Sequence, residues 1–281
     1  MSRIFRAGRF QLPLGDKTYI MGILNLVPDH YAEDPECLST EAAVALAWEM
    51  AAAGADVIDM GGQSSQPGYQ QVSPEEELKR ILPVLDVLHN EFSIPISIDT
   101  RYASVAYACV QHGADIVNDI GGFKDPAMIE SVATSQTCGC IVMHRGGGNN
   151  KVDILDSIKE YFVHQIDVLN ASGIAMERIC LDPGIGFGKT YEENLRILAN
   201  ADQMQAHGCC TVMAASRKRV ISAASGNPPY EHRMPGTIAA DSIAQFCGID
   251  MVRAHDVPEA VQAARVTQEI RRQRVCKHPQ E

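Results

Sequence analysis

Eight short apolar runs alternate with segments of helical spacing, and this alternation restricts the fold more than any other feature of the sequence. The runs are YIMGILNL (19–26), DVIDMGG (56–62), PISIDT (95–100), DIVNDIGG (115–122), GCIVMHRG (139–146), ICLDPGIG (179–186), CTVMAAS (210–216) and MVRAHDV (251–257). Segments between them, such as 40–54, 74–92 and 152–173, carry apolar residues at helical spacing. Strand–helix alternation predicts a parallel sheet with right-handed crossovers. Eight such units predict a single-domain (β/α)8 TIM barrel, with an open doubly wound sheet as the alternative.

The two ends of the chain lie outside these units. We expect residues 1–18 to form a short N-terminal hairpin that covers the bottom of the barrel. Residues 19–275 are expected to form the barrel, and residues 276–281 a tail. Pro83 lies inside one helical segment and is expected to kink or divide it.

A short motif repeats at the start of three of the predicted strands. Gly-Ala-Asp begins at Gly54 and at Gly113, and Gly-Ile-Asp begins at Gly248. A glycine directly after a helix commonly takes the left-handed conformation that ends it. We therefore expect each of these glycines to cap the preceding helix.

Charge and composition exclude several classes of protein. The formal net charge is −11, the opposite sign from a protein that grips a nucleic-acid backbone. The nine cysteines include no C-x-x-C pair, which indicates small buried side chains in a reducing cytosol. The sequence has neither the apolar core of a signal peptide nor an uninterrupted apolar run of about 18 residues. These features predict a cytoplasmic protein.

Polar side chains end almost every predicted strand, where a barrel of this type carries its chemistry. They are Asn25, Ser64 and Ser65, Asp99, Asn118, His144, Asp182, Ser216 to Lys218, and Arg253 to Asp256. Some have a structural alternative: Asp99-Thr100 could cap a helix and Asn118-Asp119 could form a turn. His144 suits a packed role as well as a direct one.

The chemistry of these side chains divides them into three groups. Two carboxylates, an amide and a lysine suit a flat heterocycle with alternating donors and acceptors: Asp99, Asp182, Asn118 and Lys218. Arg253 and His255 suit phosphate oxygens, and the amide oxygen of Asn25 suits a hard cation such as Mg²⁺.

The stretch PGIGFGKT (183–190) nearly matches the phosphate-binding loop G-x-x-x-x-G-K-[ST]. Its first glycine position holds Pro183, which has no N–H to offer a phosphate. The stretch also lacks the G-x-G-x-x-G spacing of dinucleotide-binding proteins. We therefore do not expect a nucleotide site of either kind.

A set of motifs resembles the dihydropteroate synthase family, the folate enzymes that sulfonamides block. They are MGILNLVPD (21–29), GADVIDMGG (54–62), VSPEEELKRILPVL (72–85), SIDT (97–100), GADIVNDI (113–120), VMH (142–144), LDPGIGFGK (181–189), SRK (216–218) and RAHDV (253–257). The likeness runs in order over about residues 19–265. It implies a (β/α)8 barrel that joins 6-hydroxymethyl-7,8-dihydropterin diphosphate to p-aminobenzoate and releases pyrophosphate. It also implies Mg²⁺ as cofactor and a homodimer.

The resemblance implies a role for each matching residue. Asp99, Asn118, Asp182 and Lys218 would bind the pterin, with Ile120, Met143 and Phe187 packing against it. Asn25, Ser65, Arg253 and His255 would hold the diphosphate, and Asn25 would also meet the metal. Asp99, Lys218 and Ser65 would be catalytic. Tyr31, Gln66, Pro67 and Arg219 would form the site of the second substrate.

The departures from the family pattern lie mostly on the second-substrate side. The first loop is NLVPDHYAEDP, where the family usually has N-V-T-P-D-S-F-S-D-G-G. The second loop is GGQSSQPG, where the family has G-G-E-S-T-R-P-G, so that Gln63 and Gln66 replace a Glu and an Arg. Arg219 follows SRK in place of Ser or Thr, and Ala214 replaces a glycine. We expect slow turnover with p-aminobenzoate and poor inhibition by sulfonamides.

Four interpretations follow from this pattern. The first is a divergent dihydropteroate synthase, and the second is a pterin-binding paralogue that uses another acceptor or catalyses little. The third is a pterin-dependent methyl-transfer module with a corrinoid partner, against which Arg253 and His255 argue because such modules need no diphosphate site. The fourth is a pterin-binding protein without enzymatic activity.

Overall fold

The computed structural model describes residues 3–27, 38–63, 71–148 and 152–273. The strands are β1 (Ile4–Ala7), β2 (Phe10–Pro13), β3 (Tyr19–Asn25), β4 (Val57–Gly61), β5 (Ile96–Asp99), β6 (Ile116–Asp119), β7 (Gly139–Met143), β8 (Ile179–Asp182), β9 (Cys210–Met213) and β10 (Met251–Ala254). The helices are α1 (Thr40–Ala53), α2 (Pro74–Glu91), α3 (Ala103–Gln111), α4 (Pro126–Ala133), α5 (Ile154–Ala171), α6 (Tyr191–Ala199), α7 (Arg219–Ala224), α8 (Met234–Phe246) and α9 (Val257–Arg272). Strands β3 to β10 pair in sequence, all parallel, and β10 pairs with β3 to close the barrel. The predicted (β/α)8 barrel is confirmed, and the open sheet is excluded.

Each barrel strand lies within one of the eight apolar runs. Helix α2 is a single element from Pro74 to Glu91, so Pro83 does not divide it. The helix buries Ile81, Val84 and Leu85 against the sheet. Packing of this kind supplies most of the stability of a helix in a protein, and it offsets the hydrogen bond that proline cannot make.

The repeated Gly-x-Asp motif has one structure in all three copies. Gly54, Gly113 and Gly248 have φ of 104°, 92° and 98°, the left-handed conformation expected of a glycine that ends a helix. The aspartate of each copy then accepts a hydrogen bond from a backbone N–H of a barrel strand. The pairs are Asp56 with Ile20 at 3.0 Å, Asp115 with Ile96 at 3.0 Å and Asp250 with Thr211 at 3.1 Å. The motif therefore ends a helix and pairs a backbone donor at the bottom of the barrel.

The predicted N-terminal hairpin is confirmed, and it covers the bottom of the barrel. Strands β1 and β2 are antiparallel. The side chain of Phe5 is fully buried in an apolar cluster, the floor cluster. The barrel residues of the floor cluster are Tyr19, Met21, Val57, Ile116, Ile141, Cys180, Cys210, Val212 and Met251.

Cations of the N-terminal segment meet the aspartates of the repeated motif. Arg3 pairs with Asp250 at 2.8 Å, and Lys17 pairs with Asp56 at 2.5 Å. The side chain of Asp250 is 1% exposed, whereas that of Asp56 is 22% exposed. The first of these pairs is thus the more strongly shielded from water.

We expect the change Asp250→Ala to lower the free energy of unfolding by about 3 kcal/mol, because it leaves Arg3 and the Thr211 N–H without their buried acceptor. The matched change Asp56→Ala should cost about 1 kcal/mol, since water reaches both members of that pair. Urea unfolding at equilibrium measures both values. Equal losses for the two variants would show that burial does not determine how much each ion pair contributes to the free energy of unfolding.

Six of the seven cysteines in the described ranges are buried and all seven are thiols, as expected for small apolar side chains. Cys37 and Cys276 lie outside those ranges. No helix in the described part of the chain is long and apolar enough to cross a membrane.

Candidate active site

Polar residues occupy inward-facing positions above the floor cluster. Alternate residues of a strand face the same side of the sheet. The floor cluster contains Ile116, Cys180 and Met251, one from each of three strands. Two positions further along the same strands are Asn118, Asp182 and Arg253. The C-terminal end of the barrel interior is therefore polar and charged, whereas its N-terminal end is apolar.

The guanidinium group of Arg253 joins two carboxylates across the barrel. Its Nε donates to Asp59 Oδ2 at 2.6 Å, and its Nη2 donates to Asp99 Oδ2 at 2.8 Å. Asn118 Nδ2 also donates to Asp59 Oδ2, at 3.2 Å. Asp59 is a member of the site that was not predicted from the sequence. The available signal was a carboxylate in the middle of the apolar strand VIDMG, which only a paired or functional group would justify.

Burial and the nearby opposite charges have opposing effects on the pKa values of Asp99 and Arg253. Burial raises the pKa of Asp99 to about 7, with Arg253 acting to lower it and Asp59 to raise it. Burial opposes the charge of Arg253, but Asp59 and Asp99 raise the pKa of its guanidinium above the ordinary value. Arg253 therefore stays charged, whereas burial makes the charged form of Asp99 less favourable than it is in water.

Two further groups of opposite charge, Asp182 and Lys218, lie close enough to Arg253 to influence it electrostatically. Asp182 is 5% exposed, and its Oδ1 accepts a hydrogen bond from the Gly184 N–H at 2.7 Å. Burial raises the pKa of Asp182, and the ammonium of Lys218 acts to lower it. Burial also lowers the pKa of Lys218 to about 8, against the effect of Asp182. Lys218 Nζ lies 4.6 Å from the centre of the Phe187 ring and donates to the Ile185 carbonyl at 2.6 Å.

The three apolar residues predicted beside the pterin differ in exposure. Ile120 and Phe187 are half-buried, so each has surface available to a ligand. Met143 is 1% exposed, and its backbone is in register with that of Asp182. Carboxylate, amide and ammonium groups thus come together with apolar and aromatic surface, and we call the region that they border the slot.

His255 belongs to a short hydrogen-bonded chain. Its Nδ1 lies 2.8 Å from Ser216 Oγ, and its Nε2 lies 3.2 Å from the hydroxyl of Tyr230. Burial, followed by the charges of Arg253 and Arg217, lowers the pKa of His255 to about 3. The imidazole is neutral near pH 7 and both of its nitrogens have partners, so it would donate a hydrogen bond to a phosphate only by exchanging one of these contacts, and it would bring no full charge. Tyr230 was not predicted, because it lies in a polar connection far from any strand end.

Comparison with known proteins places this arrangement in a family. A family model described as pterin binding enzyme matches residues 21–255. A dihydropteroate synthase of Clostridium beijerinckii is 38% identical over 263 residues, covering 93% of this chain and 97% of that protein. The chain belongs to the dihydropteroate synthase family.

Solved structures of the family have the same fold. The dihydropteroate synthase of Clostridium difficile, solved in the presence of pteroic acid, has a TM-score of 0.86 and 39% identity, covering 92% of this chain and 98% of that one. The enzyme of Xanthomonas albilineans, solved with 4-aminobenzoic acid, has a TM-score of 0.89 and 32% identity, covering 96% and 98%. The likeness therefore extends over nearly the whole of each chain.

Asn25 is the residue predicted to bind Mg²⁺ in this member of the dihydropteroate synthase family. It ends β3, its side chain is exposed, and its backbone pairs with Gly61. Across the described ranges, no group of three or more His, Cys, Asp or Glu side chains could hold a metal. A single amide oxygen suits Mg²⁺ only where substrate phosphates and water supply the other ligands. The residues present thus fit a metal that arrives with a diphosphate.

The second-substrate residues are only partly described. Ser65, Tyr31, Gln66 and Pro67, named above as site residues, lie outside the described residues. Arg219 is the first residue of α7 and is exposed directly after Lys218. Gln63 Oε1 accepts a hydrogen bond from the Val72 N–H at 3.2 Å, across the base of the second loop. The glutamine that replaces the family's glutamate thus pairs with the backbone of its own loop.

The lysine of the near-match to a phosphate loop is bound to the protein itself. Lys189 Nζ donates to the carbonyl oxygens of His144 at 3.0 Å and of Gly184 at 2.9 Å. His144 is 4% exposed, and burial lowers the pKa of its ring to about 4. Its ring makes an edge contact with Tyr161, at 5.2 Å between centroids. Of the two roles considered for His144, these contacts favour the packed one.

Proposed function

We propose that this protein condenses 6-hydroxymethyl-7,8-dihydropterin diphosphate with p-aminobenzoate and releases pyrophosphate, a step of folate biosynthesis. The observation that carries the proposal is the set of buried Asp182, buried Asn118 and half-buried Lys218 at the C-terminal end of the barrel, with Asp182 and Lys218 close enough to shift each other's pKa. The relatives named above include structures with pteroic acid and with 4-aminobenzoic acid. Pteroic acid is the oxidised form of the dihydropteroate that such a condensation would yield, and 4-aminobenzoic acid is its second substrate.

The pterin would lie in the slot, between the group formed by Arg253, Asp59 and Asp99 and the charges of Asp182 and Lys218. Asp182 and Asn118 would accept and donate along its aminopyrimidine edge, and Lys218 would donate to its ring acceptors. Phe187 and Ile120 would contact its faces, with Met143 beneath. Asp99, on the strand next to Asn118, lies in register with it.

The reaction would begin at the bond between the pterin methylene carbon and the diphosphate oxygen. This bond breaks with its electron pair leaving on pyrophosphate, and a cation forms on the methylene carbon and the ring. Asp99 would stabilise that cation, and the Arg253 guanidinium and a hydrogen bond from His255 would stabilise the leaving anion. The amine nitrogen of p-aminobenzoate then forms the new C–N bond and loses a proton. Ser65 would complete the diphosphate site.

The residues expected around the second substrate support a second candidate function. In it, the protein is a paralogue that uses another amine acceptor or has little activity. Arg219 carries a charge where the family has a hydroxyl, and Gln63, whose Oε1 accepts from the Val72 N–H, is neutral where the family has a carboxylate. Under the first candidate, Arg219 would hold the p-aminobenzoate carboxylate, and Tyr31, Gln66 and Pro67 would surround its ring. Under the second, the same positions would fit a different amine.

Pyrophosphate release by the purified protein tests the proposal. A working enzyme would release pyrophosphate only when both pterin diphosphate and p-aminobenzoate are present. It would also restore growth to a strain that lacks its own synthase. Binding of pterin diphosphate without release supports the paralogue. Failure to bind pterin diphosphate at all would overturn both candidates.

Mg²⁺ is proposed as the cofactor, held by the amide oxygen of Asn25 and by diphosphate oxygens. When bound, the ion would neutralise negative charge on the leaving group. We expect pterin diphosphate to bind at least about tenfold more tightly with Mg²⁺ than after chelation, as for a charge-assisted contact of about 1.5–3 kcal/mol. Calorimetry checks this, with 6-hydroxymethyl-dihydropterin, which lacks the diphosphate, as the matched ligand. Equal metal dependence for both ligands would contradict a metal bound through the diphosphate.

We further propose a cytoplasmic homodimer. The free thiols of the described residues support a reducing compartment. Apolar side chains on α8 and α9 support a second copy, because Ile243, Val266 and Ile270 are each more than half exposed. Light scattering gives the oligomeric state, and a monomer at micromolar concentration would contradict it.

A further inference from the structure

Arg217 has an unusual backbone conformation between two residues of the site. Its φ is 54°, in the left-handed region that residues other than glycine rarely adopt. Ser216, on one side, contacts His255, and Lys218, on the other, enters the pterin slot. The left-handed turn at Arg217 thus lies directly between Lys218, which is assigned to the pterin, and Ser216, which contacts the diphosphate residue His255.

Hydrogen bonds hold both the backbone and the side chain of Arg217. Its N–H donates to Thr237 Oγ1 at 2.9 Å, and its carbonyl accepts from Arg233 Nη1 at 3.1 Å. Its guanidinium donates to both oxygens of Asp256, at 3.0 Å from Nε to Oδ2. It also lies 5.3 Å from the ring centre of Tyr230. We call these four partners the Arg217 anchor.

The Arg217 anchor draws on separate parts of the fold. Thr237 belongs to α8, Arg233 is the residue before it, and Asp256 precedes α9. Asp256 also directly follows His255. The Arg217–Asp256 ion pair therefore runs alongside the Ser216–His255 contact, so two adjacent links join the same two segments.

We propose that Arg217 is a positioning residue that fixes Lys218 and His255 relative to each other, without touching the substrate. This inference rests on the proposed function, because it assigns the pterin to Lys218 and the diphosphate to His255. A strained conformation persists only where its surroundings hold it. The contacts of Arg217 supply that restraint at the point where the pterin and diphosphate sites meet.

Thr237 offers the sharpest test, because its hydroxyl reaches Arg217 from a buried position outside the slot. The change Thr237→Val removes the acceptor of the Arg217 N–H and keeps the shape of the side chain. We expect kcat to fall by at least about tenfold and pterin diphosphate affinity to fall with it, as for a small misplacement of reacting groups. Thr237→Ser keeps the hydroxyl and should restore both values to within about threefold of the parent.

Thr267→Val is the matched control, since Thr267 is a buried threonine of α9 away from the Arg217 anchor. It should leave kcat and affinity unchanged, whatever its effect on the melting temperature. Asp256→Asn is the second variant, and it should lower kcat and affinity in the same direction as Thr237→Val. If Thr237→Val and Asp256→Asn lower only the melting temperature, Arg217 is structural and the inference is wrong.

Arg217→Gly separates positioning from direct contact with the substrate. If Arg217 touched the substrate, Arg217→Gly would cost activity while Thr237→Val would not, and that result would overturn the inference. Calorimetric affinities for pterin diphosphate decide the outcome even if the parent protein releases no pyrophosphate. Turnover by the parent alone decides the proposed function, so the two failures are distinguishable.

Discussion

Replacing Asp182 by asparagine is expected to weaken the binding of pterin diphosphate by about 10- to 100-fold. The carboxylate would make a charge-assisted hydrogen bond of about 1.5–3 kcal/mol with the aminopyrimidine edge, and about 1.4 kcal/mol corresponds to a factor of ten. Asparagine has the same shape, and its carbonyl can still accept from the Gly184 N–H. Its amide would, however, turn donor hydrogens toward the donors of the pterin. The loss should therefore appear in calorimetric affinity rather than in folding.

The matched control is Asp115→Asn at the opposite end of the barrel. Asp115 is a buried carboxylate that accepts from the Ile96 N–H at 3.0 Å, and it takes no part in the slot. It should lower the midpoint of thermal unfolding and leave the affinity unchanged. Unchanged affinity in a folded Asp182→Asn protein would remove the pterin from the proposed site.

The double change Gln66→Arg with Arg219→Ser is expected to raise kcat/KM for p-aminobenzoate by about 10²–10³, the usual contribution of one charged or preorganised donor in a closed site. It restores the cation and the hydroxyl that the family usually carries at these positions. Gln66 can donate hydrogen bonds to a leaving anion but brings no charge to it. Sulfonamide inhibition should strengthen with the same change, because these drugs resemble the second substrate. Steady-state pyrophosphate release, with and without sulfonamide, measures both effects.

Gln71→Arg is the control for an unspecific gain of positive charge, since Gln71 is exposed and follows the second loop. It should change neither turnover nor inhibition by more than about twofold, as is usual for an exposed and screened charge. A natural protein that is already fast and sulfonamide-sensitive would contradict this reading of Gln66 and Arg219. The differences in the two loops would then have no effect on the reaction.

Much of the fold could be predicted because the apolar runs, the helical spacing and the glycines after helices all indicate the same alternation of strands and helices. All eight strands follow from apolar runs bounded by glycine and polar residues. The left-handed φ of Gly54, Gly113 and Gly248 follows from the position of each glycine after a helix. Pro83 does not divide α2, because the effect of a proline depends on how firmly the helix packs on the sheet, and local sequence does not contain that information.

The site was predictable where residues stand at strand ends and less so elsewhere. Asp99, Asn118, Asp182 and Arg253 could be named because parallel strands bring their C-terminal ends together. Their partners could not be deduced, since the Arg253–Asp59 contact joins residues 194 positions apart. The neutrality of His255 likewise comes from burial and neighbouring charges that exist only after folding. Tyr230 reaches His255 from a connection, where sequence carries no periodic signal.

The hairpin that closes the N-terminal end of the barrel has a kinetic consequence. Phe5 and the floor cluster fill that end, so ligands reach Asp182 from the side of the C-terminal loops. In the proposed reaction the arylamine attacks from that same side, above the pterin methylene. An arylamine that arrived first would obstruct the route of the pterin. Substrate addition should accordingly be ordered, with the pterin binding first. A tightly bound arylamine analogue would then slow the dissociation of the pterin beneath it.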